Sequence, residues 1–252
     1  MASLHEIDSY LRDFLAIGQI PDFPFAHNGL QIENSGTVRK IAAAVDSHLP
    51  VLQQAVERKA DLLLVHHGLF WQGVQPVTGP YYRKLKLAFE HNLALISIHH
   101  PLDAHPTVGN NARLAESLGL SNGEPFFPFQ GVPIGLKFPA NHLSRSEIAA
   151  RLEATLGGPV HLAAGGPVSV RVVGICTGGA GSEIASAVRQ GIDTFITGEG
   201  PHWSHTLAEE LGVNLFLGGH YATETFGVKA LGAHLAERFG IEWEFIDHPT
   251  GL

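Results

Sequence analysis

Two adjacent histidines end one of the most apolar segments of this sequence. In DLLLVHHGLF, residues 61–70, four apolar residues precede His66 and His67, and Gly68 follows them. Histidine is the commonest metal ligand in proteins, and it also exchanges protons near neutral pH. An isolated pair of this kind is more often structural or exposed than metal-bound. Its meaning therefore depends on the other polar residues that accompany it.

Two further fragments combine histidine with a carboxylate at short spacing. His99 precedes Asp103 by four residues in HHPLDAHP, where Pro101 indicates a turn rather than a helix. His220 precedes Glu224 by four residues in GGHYATE, and this spacing places both side chains on one face of a helix. Taken singly, Asp103 could be a turn former, and the second pair could be ordinary helix-surface chemistry.

The combination of the three fragments predicts a metal site. Each follows a candidate strand and is flanked by glycine or proline, and open parallel sheets form their sites beyond the carboxyl ends of strands. Mixed imidazole and carboxylate ligands suit Zn, Fe, Mn, Co or Ni, and the single cysteine disfavours a structural zinc site. Five ligands exceed the need of one tetrahedral ion. They therefore predict two divalent ions, typically about 3.5–4 Å apart, that share a carboxylate.

The elements that must position these residues follow an α/β pattern. Apolar runs alternate with helical patterns, which predicts mostly parallel strand pairing. The strands predicted in the first block are residues 40–48, 61–67 and 93–100. The segment 121–140 is rich in Pro, Gly and Phe, as in a linker or an irregular edge. A second block of strands and helices follows, with Ser144 and Glu147 spaced as a helix-capping box.

Composition limits the class of protein. The chain has 252 residues, 44% of them hydrophobic and 16% charged, which indicates one large or two smaller globular domains. The net charge of −8 and the lack of a Lys/Arg run argue against nucleic acid as the main partner. No apolar window approaches the roughly 20 residues needed to span a membrane. With one cysteine, a reducing cytoplasm is the simplest setting.

Two other segments allow more than one interpretation. CTGGAGSE, residues 176–183, is a Gly-rich turn between a strand and a helix that could hold a phosphate, but it lacks the Lys-Ser/Thr of a P-loop. A tight turn is the simpler interpretation, and Cys176 is expected to be a small buried residue. ITGEGPHW could contribute Glu199 or His202 to the site.

Five fragments, taken in order, closely resemble the NIF-three-like family, also called GTP cyclohydrolase I type 2 homologues. The fragments are HNGLQIENSG, VHHGLFW, HHPLDAHPTVGNNARL, ITGE and GGHYATETFGVKAL. The resemblance extends from about residue 20 to the C-terminus and is closest to the compact bacterial form, because a long central insertion is missing. Where many members have Asp-Asn before GLQ, this sequence has His27-Asn28, a departure that leaves the metal-ligand motifs unchanged.

The resemblance implies two similar α/β lobes with mixed, mostly parallel sheets, the second lobe inserted in the first. The expected first lobe is residues 1–122 plus 206–252, and the expected second lobe is residues 123–205. A dinuclear metal site is expected between them, and a homohexamer, built as a trimer of dimers, is the expected assembly.

Carried over by motif, the metal ligands fall on His66, His67, Asp103, His220 and Glu224. Glu224 would be the bridging carboxylate, and His99 matches a histidine close to the metals.

The leading functional hypothesis is a cytoplasmic, metal-dependent hydrolase of a small nucleotide-like or heterocyclic substrate. Two ions in a cleft can activate water and stabilise an oxyanion, while Glu199 or His99 transfers protons. The family name implies opening of the GTP ring with release of formate, although no motif recognises guanine or triphosphate. The alternative is a non-catalytic metal-binding assembly, chaperone or regulatory protein. A third possibility is a structural protein with satisfied core histidines.

Overall fold

The computed structural model describes residues 1–252, which divide into two compact units. Unit 1 comprises Met1–Leu102 and Gly227–His248, and unit 2 comprises Asp103–Phe226 and Pro249–Leu252. Each unit has its own sheet. These bounds differ from the predicted ones, because unit 2 begins and ends further out along the chain.

The elements from the N-terminus are, in order, β1 (Ala2–Ser3), α1 (Leu4–Phe14), β2 (Gly29–Ile32), β3 (Thr37–Val38), β4 (Lys40–Asp46), α2 (Leu49–Glu57), β5 (Leu62–His67), α3 (Gly79–Glu90), β6 (Ala94–Ser97) and α4 (His100–Asp103). They are followed by α5 (Asn110–Ser117), β7 (Glu124–Phe129), β8 (Val132–Pro139), α6 (Arg145–Leu156), β9 (His161–Ala164), β10 (Val172–Ile175), a 3-10 turn (Ala180–Glu183), α7 (Ile184–Val188), β11 (Thr194–Thr197), α8 (His202–Leu211), β12 (Asn214–Leu217), α9 (His220–Phe239) and β13 (Glu242–Phe245).

The main sheet of unit 1 has five strands in the order β13-β4-β5-β6-β2. The first four are parallel, and β2 is antiparallel at the edge. Strand β5 is buried from Leu62 to His66, as expected of a parallel strand covered on both faces. The predicted parallel pairing is therefore confirmed in this unit.

The sheet of unit 2 is mixed, and most of its pairings are antiparallel. Its order is β7-β8-β10-β11-β12-β9, in which only the β10–β11 and β11–β12 pairs are parallel. The expectation of mostly parallel pairing is wrong here, because a hairpin and the edge strand β9 flank the three parallel strands. The mixed α/β class itself is confirmed.

The hairpin β7–β8 occupies most of the segment 121–140 that resembled a linker. Its two-residue loop, Gln130-Gly131, has positive φ at both positions, 48° and 88°, which suits a tight hairpin turn. Strand β7 contains Pro125 and Pro128, and edge strands tolerate proline because one side of the strand needs no partner. The interpretation as an irregular edge was correct, and the interpretation as a linker was wrong.

Two elements account for the wider bounds of unit 2. Leu114 and Ala115 of α5 belong to a buried cluster with Phe138 of β8, and Phe216 of β12 belongs to the same cluster. Strand β12 also pairs with β11 and β9. Apolar burial therefore extends unit 2 on both sides of the predicted segment.

The capping box predicted from the sequence is present at the start of α6. The N–H of Glu147 donates to Ser144 Oγ at 3.2 Å, and the N–H of Ser144 donates to Glu147 Oε2 at 2.7 Å.

The segment near residues 99–103, predicted as a turn, forms the short helix α4. Pro101 lies in its first turn, where a missing N–H removes no hydrogen bond. No helix, including the 20-residue α9, combines the length and apolar character that a bilayer span requires.

Candidate metal centre

The parallel strands of unit 1 bring three histidines together at their carboxyl ends. Strand β5 runs through His66 and ends at His67, which pairs in register with Asp46 at the end of β4. Strand β6 ends at Ser97, two residues before His99. The ring centroid of His66 lies 4.8 Å from those of His67 and His99. One nitrogen from each of the three rings lies within 4.8 Å of the other two.

Each ring of this histidine cluster is oriented through its Nδ1 atom by an oxygen. His66 Nδ1 lies 2.8 Å from the carbonyl oxygen of Ile98. A carbonyl can only accept a hydrogen bond, so Nδ1 of His66 carries the proton and Nε2 carries the lone pair. The ring is fully buried, which keeps it in this orientation.

Carboxylates hold the other two rings in the same way. His67 Nδ1 is 2.8 Å from Oδ1 of Asp46, and His99 Nδ1 is 2.8 Å from Oδ1 of Asp22. An ionised carboxylate also only accepts, so Nδ1 carries a proton in both rings, and Nε2 carries the lone pair whenever the ring is neutral. Metal-binding histidines typically donate their second N–H to a carboxylate or carbonyl. The three rings of unit 1 therefore fit a divalent metal ion in donor type and in orientation.

Asp22 holds His99 in position within this cluster. Burial alone would raise its pKa, but the hydrogen bond from His99 and the charges of His99 and His100 lower it to about 2. Asn28 adds a hydrogen bond of 2.8 Å to Asp22 Oδ2, and its own Oδ1 accepts the backbone N–H of His99 at 2.6 Å. The carboxylate thus stays ionised and keeps His99 in place.

Unit 2 supplies Asp103, which lies in a buried network of amides. Oδ1 of Asp103 accepts a hydrogen bond from Asn110 Nδ2 at 2.8 Å and one from Thr177 Oγ1 at 3.4 Å. Asn111 Nδ2 donates to the carbonyls of Asp103 and Ile134, and Asn111 Oδ1 accepts the N–H of Thr177 at 2.9 Å. Asn111 therefore joins Asp103 to the strand end that follows β10.

His220 and Glu224 share the first turns of α9, as their spacing predicted. His220 Nε2 is 3.2 Å from Oε2 of Glu224, and its Nδ1 is 3.0 Å from Oε1 of Glu199. Burial would lower the pKa of His220, but Glu224 and Glu199 raise it to about 9. The carboxylates of Glu224 and Glu199 that cause this shift could equally hold a metal cation at this place.

The Gly-rich turn after β10 packs directly against this pair. Gly178 has φ +73°, and a Cβ atom there would overlap Glu224 Oε1 and lie 3.4 Å from His220 Nε2. The N–H of Gly178 donates to Thr223 Oγ1, and the N–H of Gly181 donates to the carbonyl of Glu199. These donors are used within the protein, which favours the tight turn over the phosphate site.

The structure groups the predicted residues by unit. In unit 1 it brings His66, His67 and His99 together. In unit 2 it brings His220, Glu224 and Glu199 together, and places Glu224 and Asp103 close enough to Cys176 to raise its pKa, after the larger effect of burial. His202, the other candidate in ITGEGPHW, is exposed, and the ring of His48, which follows β4, packs on His248 with centroids 4.5 Å apart.

Sequence reasoning missed the residues that hold the candidate ligands. Asp22 lies in an irregular segment with no periodic pattern, and its link to His99 spans 77 positions. Asn110, Asn111 and Thr177 carry no metal-type signal, although the adjacent Asn pair follows the Asp103 motif closely. The closeness of this Asn pair to the Asp103 motif was the one sequence signal that could have indicated the buried network.

The two α/β units carry buried histidines and carboxylates at their strand ends, and these groups could hold a metal ion. The chain belongs to the Duf34/NIF3 (NGG1p interacting factor 3) family, whose model matches residues 2–251, and the predicted resemblance is confirmed.

Relatives and solved structures cover nearly the whole chain. A Deinococcus radiodurans protein named GTP cyclohydrolase 1 type 2 homolog is 43% identical over 248 residues, which are 98% of this chain and 94% of the relative. TTHA1606 from Thermus thermophilus matches with a TM-score of 0.90 at 41% identity, over 99% of this chain and 100% of its own. Reduced HcgD from Methanocaldococcus jannaschii matches with a TM-score of 0.85 at 26% identity, over 98% of both chains.

Proposed function

We propose that the protein is a metal-dependent hydrolase of a small nucleotide-like or heterocyclic substrate. The proposed ligands of two divalent ions are His66, His67, Asp103, His220 and Glu224. The observation that carries the proposal is the histidine cluster of unit 1, in which an oxygen acceptor holds each Nδ1. Such anchoring is typical of histidines that present Nε2 to a metal.

The carboxylates complete the proposed ligand set. Glu224 is almost fully buried and lies against the Gly178 turn, so its carboxylate is confined near His220. Asp103 is likewise buried and held by Asn110. A buried carboxylate beside polar neighbours is stabilised by a cation, and imidazole with carboxylate suits Zn, Fe, Mn, Co or Ni.

Two further residues are assigned to proton transfer. When bound, a pair of divalent ions supplies Lewis acidity and activates water. His99 is oriented by Asp22, so its Nε2 is the atom that would accept or donate a proton. Glu199 is about half exposed and contacts His220, so it would exchange protons with solvent.

The names of the relatives select the first substrate to test. Proteins named GTP cyclohydrolase 1 type 2 homolog reach 43% identity with this chain, so GTP heads a panel of nucleotides and heterocycles. The protein is reconstituted with Mn, Zn or Fe, and metal content is measured by elemental analysis beside turnover. We expect about two ions per chain and hydrolysis of at least one compound.

Variants separate the ligands from a general effect on the protein. His66→Ala and Glu224→Ala are expected to lose metal and turnover. His142→Ala and Glu237→Ala are matched controls, because both side chains are exposed and Glu237 shares α9 with Glu224. Turnover that persists in both ligand variants would defeat the hydrolase proposal. Stoichiometric metal with no turnover, and transfer of metal to a client protein, would favour the non-catalytic alternative.

We also propose that the protein works in the cytoplasm as a homohexamer, a trimer of dimers. This is the assembly that the family resemblance implies. Light scattering is expected to give six times the chain mass of 27.0 kDa. A monomeric mass at micromolar concentration would contradict it.

A further inference from the structure

Unit 1 contains an open groove whose lining is mainly apolar and aromatic. Its volume is about 580 Å³, within the usual range for small-molecule sites. No Lys, Arg, Asp or Glu side chain lines the groove. The side chains that matter most below are those of Phe25, His27, Leu30, Phe70, Val77 and Tyr81.

The groove adjoins a crevice that is lined by one member of the histidine cluster. This narrow crevice shares Phe25, His27 and Phe70 with the groove and is also lined by Trp71 and His99. The ring of Trp71 meets the ring of His99 edge-to-face at 4.7 Å. His99 therefore lines the crevice beside the groove and not the groove itself.

Of the polar side chains in the groove wall, that of Gln31 is committed to the protein. Gln31 Nε2 donates to the carbonyl of His27 at 2.6 Å, and Gln31 Oε1 accepts the N–H of Leu69 at 2.8 Å. The groove thus offers a ligand aromatic surface together with the uncharged polar groups of Gln75 and Tyr81 and the His27 ring. The ring of Phe25 lies against Gly73, where a Cβ atom would be 3.1 Å from it.

Apolar exposure at this groove is high. Phe25 is 57% exposed, Val77 is 52% exposed, and Val74 is fully exposed. Exposed apolar patches of this kind mark binding sites. Aromatic walls favour a flat ring, because ring faces and edges stack in offset or edge-to-face geometry.

We propose that this groove holds the uncharged planar ring of the substrate, an inference that rests on the proposed hydrolase function and names the part of the substrate that binds here. Any charged part of the substrate lies outside the groove, because no charged side chain lines it. The ring stacks on Phe25 and Phe70, and its edge faces the crevice that His99 lines.

The test measures ring binding separately from metal chemistry. Lumichrome, a neutral planar alloxazine, is titrated with protein and followed by its fluorescence, and guanosine is added as a competitor with ribose as the non-aromatic control. Phe25→Leu and Phe70→Leu remove an aromatic face, and Phe25 is exposed enough for the fold to tolerate the change. Phe89→Leu is the matched control, because Phe89 is exposed on α3 and lines neither groove nor crevice.

We expect lumichrome to bind, guanosine to compete and ribose not to compete. Each groove variant should weaken binding about three- to tenfold, as expected for the loss of one stacked ring, and Phe89→Leu should not. His66→Ala should bind lumichrome as the parent does, which separates this inference from the hydrolase proposal. No binding by a parent protein that still holds metal would overturn the inference and leave the proposed function standing.

A second outcome would also overturn it. Sedimentation of the same variants reports whether the groove is instead covered by another copy of the chain. If Phe25→Leu changes the assembly and leaves lumichrome affinity unchanged, the groove is a protein interface. An unchanged assembly with weakened ring binding supports the inference.

Discussion

Nδ1 of His67 lies 2.8 Å from Oδ1 of Asp46, and the two residues pair in register on neighbouring parallel strands. Asp46 therefore decides which nitrogen of His67 carries the proton and which way the ring faces. Because the bond joins two strand ends, sheet formation and ring orientation are established together. Asp46 is a positioning residue in the proposed centre.

Removing this carboxylate should weaken metal binding while the fold persists. For Asp46→Ala we expect metal affinity to fall about 10- to 100-fold, as seen when partners of metal-bound histidines are removed. Asp46 is partly exposed, so unfolding by urea should change little. Competition with a fluorescent chelator measures the affinity, and Asp13→Ala, an exposed change on α1, is the control. Equal affinity in the variant and the parent would contradict the role of Asp46.

Asp22 should make stability depend on pH in the acid range. Burial opposes its ionisation, but His99 and His100 lower its pKa from 3.8 to about 2. A lowered pKa means that the folded protein releases this proton more readily than the unfolded chain. The stabilisation is thus fully present above pH 3.8 and is lost as pH falls through about 2.

The matching variant is Asp22→Asn in metal-free protein. At pH 7 we expect it to be less stable by up to about 2 kcal/mol, the equivalent of the pKa shift. The difference from the parent should shrink between about pH 4 and about pH 2. Urea unfolding at several pH values measures it, and a difference that stays constant over this range would refute the assignment.

Gly178 should resist substitution for two separable reasons. Alanine at φ +73° costs about 1–2 kcal/mol in the backbone, and its methyl group would overlap Glu224 Oε1. Gly212 provides a matched control, because it has φ +67° and no atom lies within 4 Å of the place that an added methyl group would occupy. Both alanine variants should lose stability in urea through the backbone, and Gly178→Ala should lose more because of the overlap. Only Gly178→Ala should also lose metal affinity, and equal affinities in both would exclude the contact with Glu224.

Asn111 should be a structural requirement for the Asp103 side of the centre. It is fully buried and bonds the carbonyls of Asp103 and Ile134 and the N–H of Thr177. Asn111→Ala leaves these buried groups unpaired and should cost on the order of 3 kcal/mol in the free energy of unfolding.

Asn141→Ala, at an exposed turn, should change that free energy by less than about 0.5 kcal/mol. Thermal and urea unfolding of the two variants make the comparison. A small effect at Asn111 would mean that water replaces its hydrogen bonds.

Local sequence patterns were sufficient to predict much of unit 1. The apolar run before His66 predicts a buried strand, and parallel strands align their carboxyl ends, so the meeting of His66, His67 and His99 follows from pattern and topology. The spacing of His220 and Glu224 likewise predicts a shared helix face, which α9 confirms. These inferences hold because strand and helix periods are local properties.

The features that were missed depend on distant contacts. Pro125 and Pro128 lower the strand propensity of β7, and only its position at the sheet edge makes them tolerable. Asp22 has no neighbour in sequence that reveals its bond to His99. The proton position on each imidazole also depends on which oxygen the folded chain places beside Nδ1.

The register of β5 against β4 limits how this part of the chain can vary. Side chains alternate across a strand, so one residue inserted or deleted between Leu62 and Val65 would reverse the faces of all that follow. His66 would then point toward the position of Asp46, and His67 would lose its carboxylate. Apolar residues in this strand can be exchanged for one another in homologous or engineered chains, but the number of residues in it must be conserved.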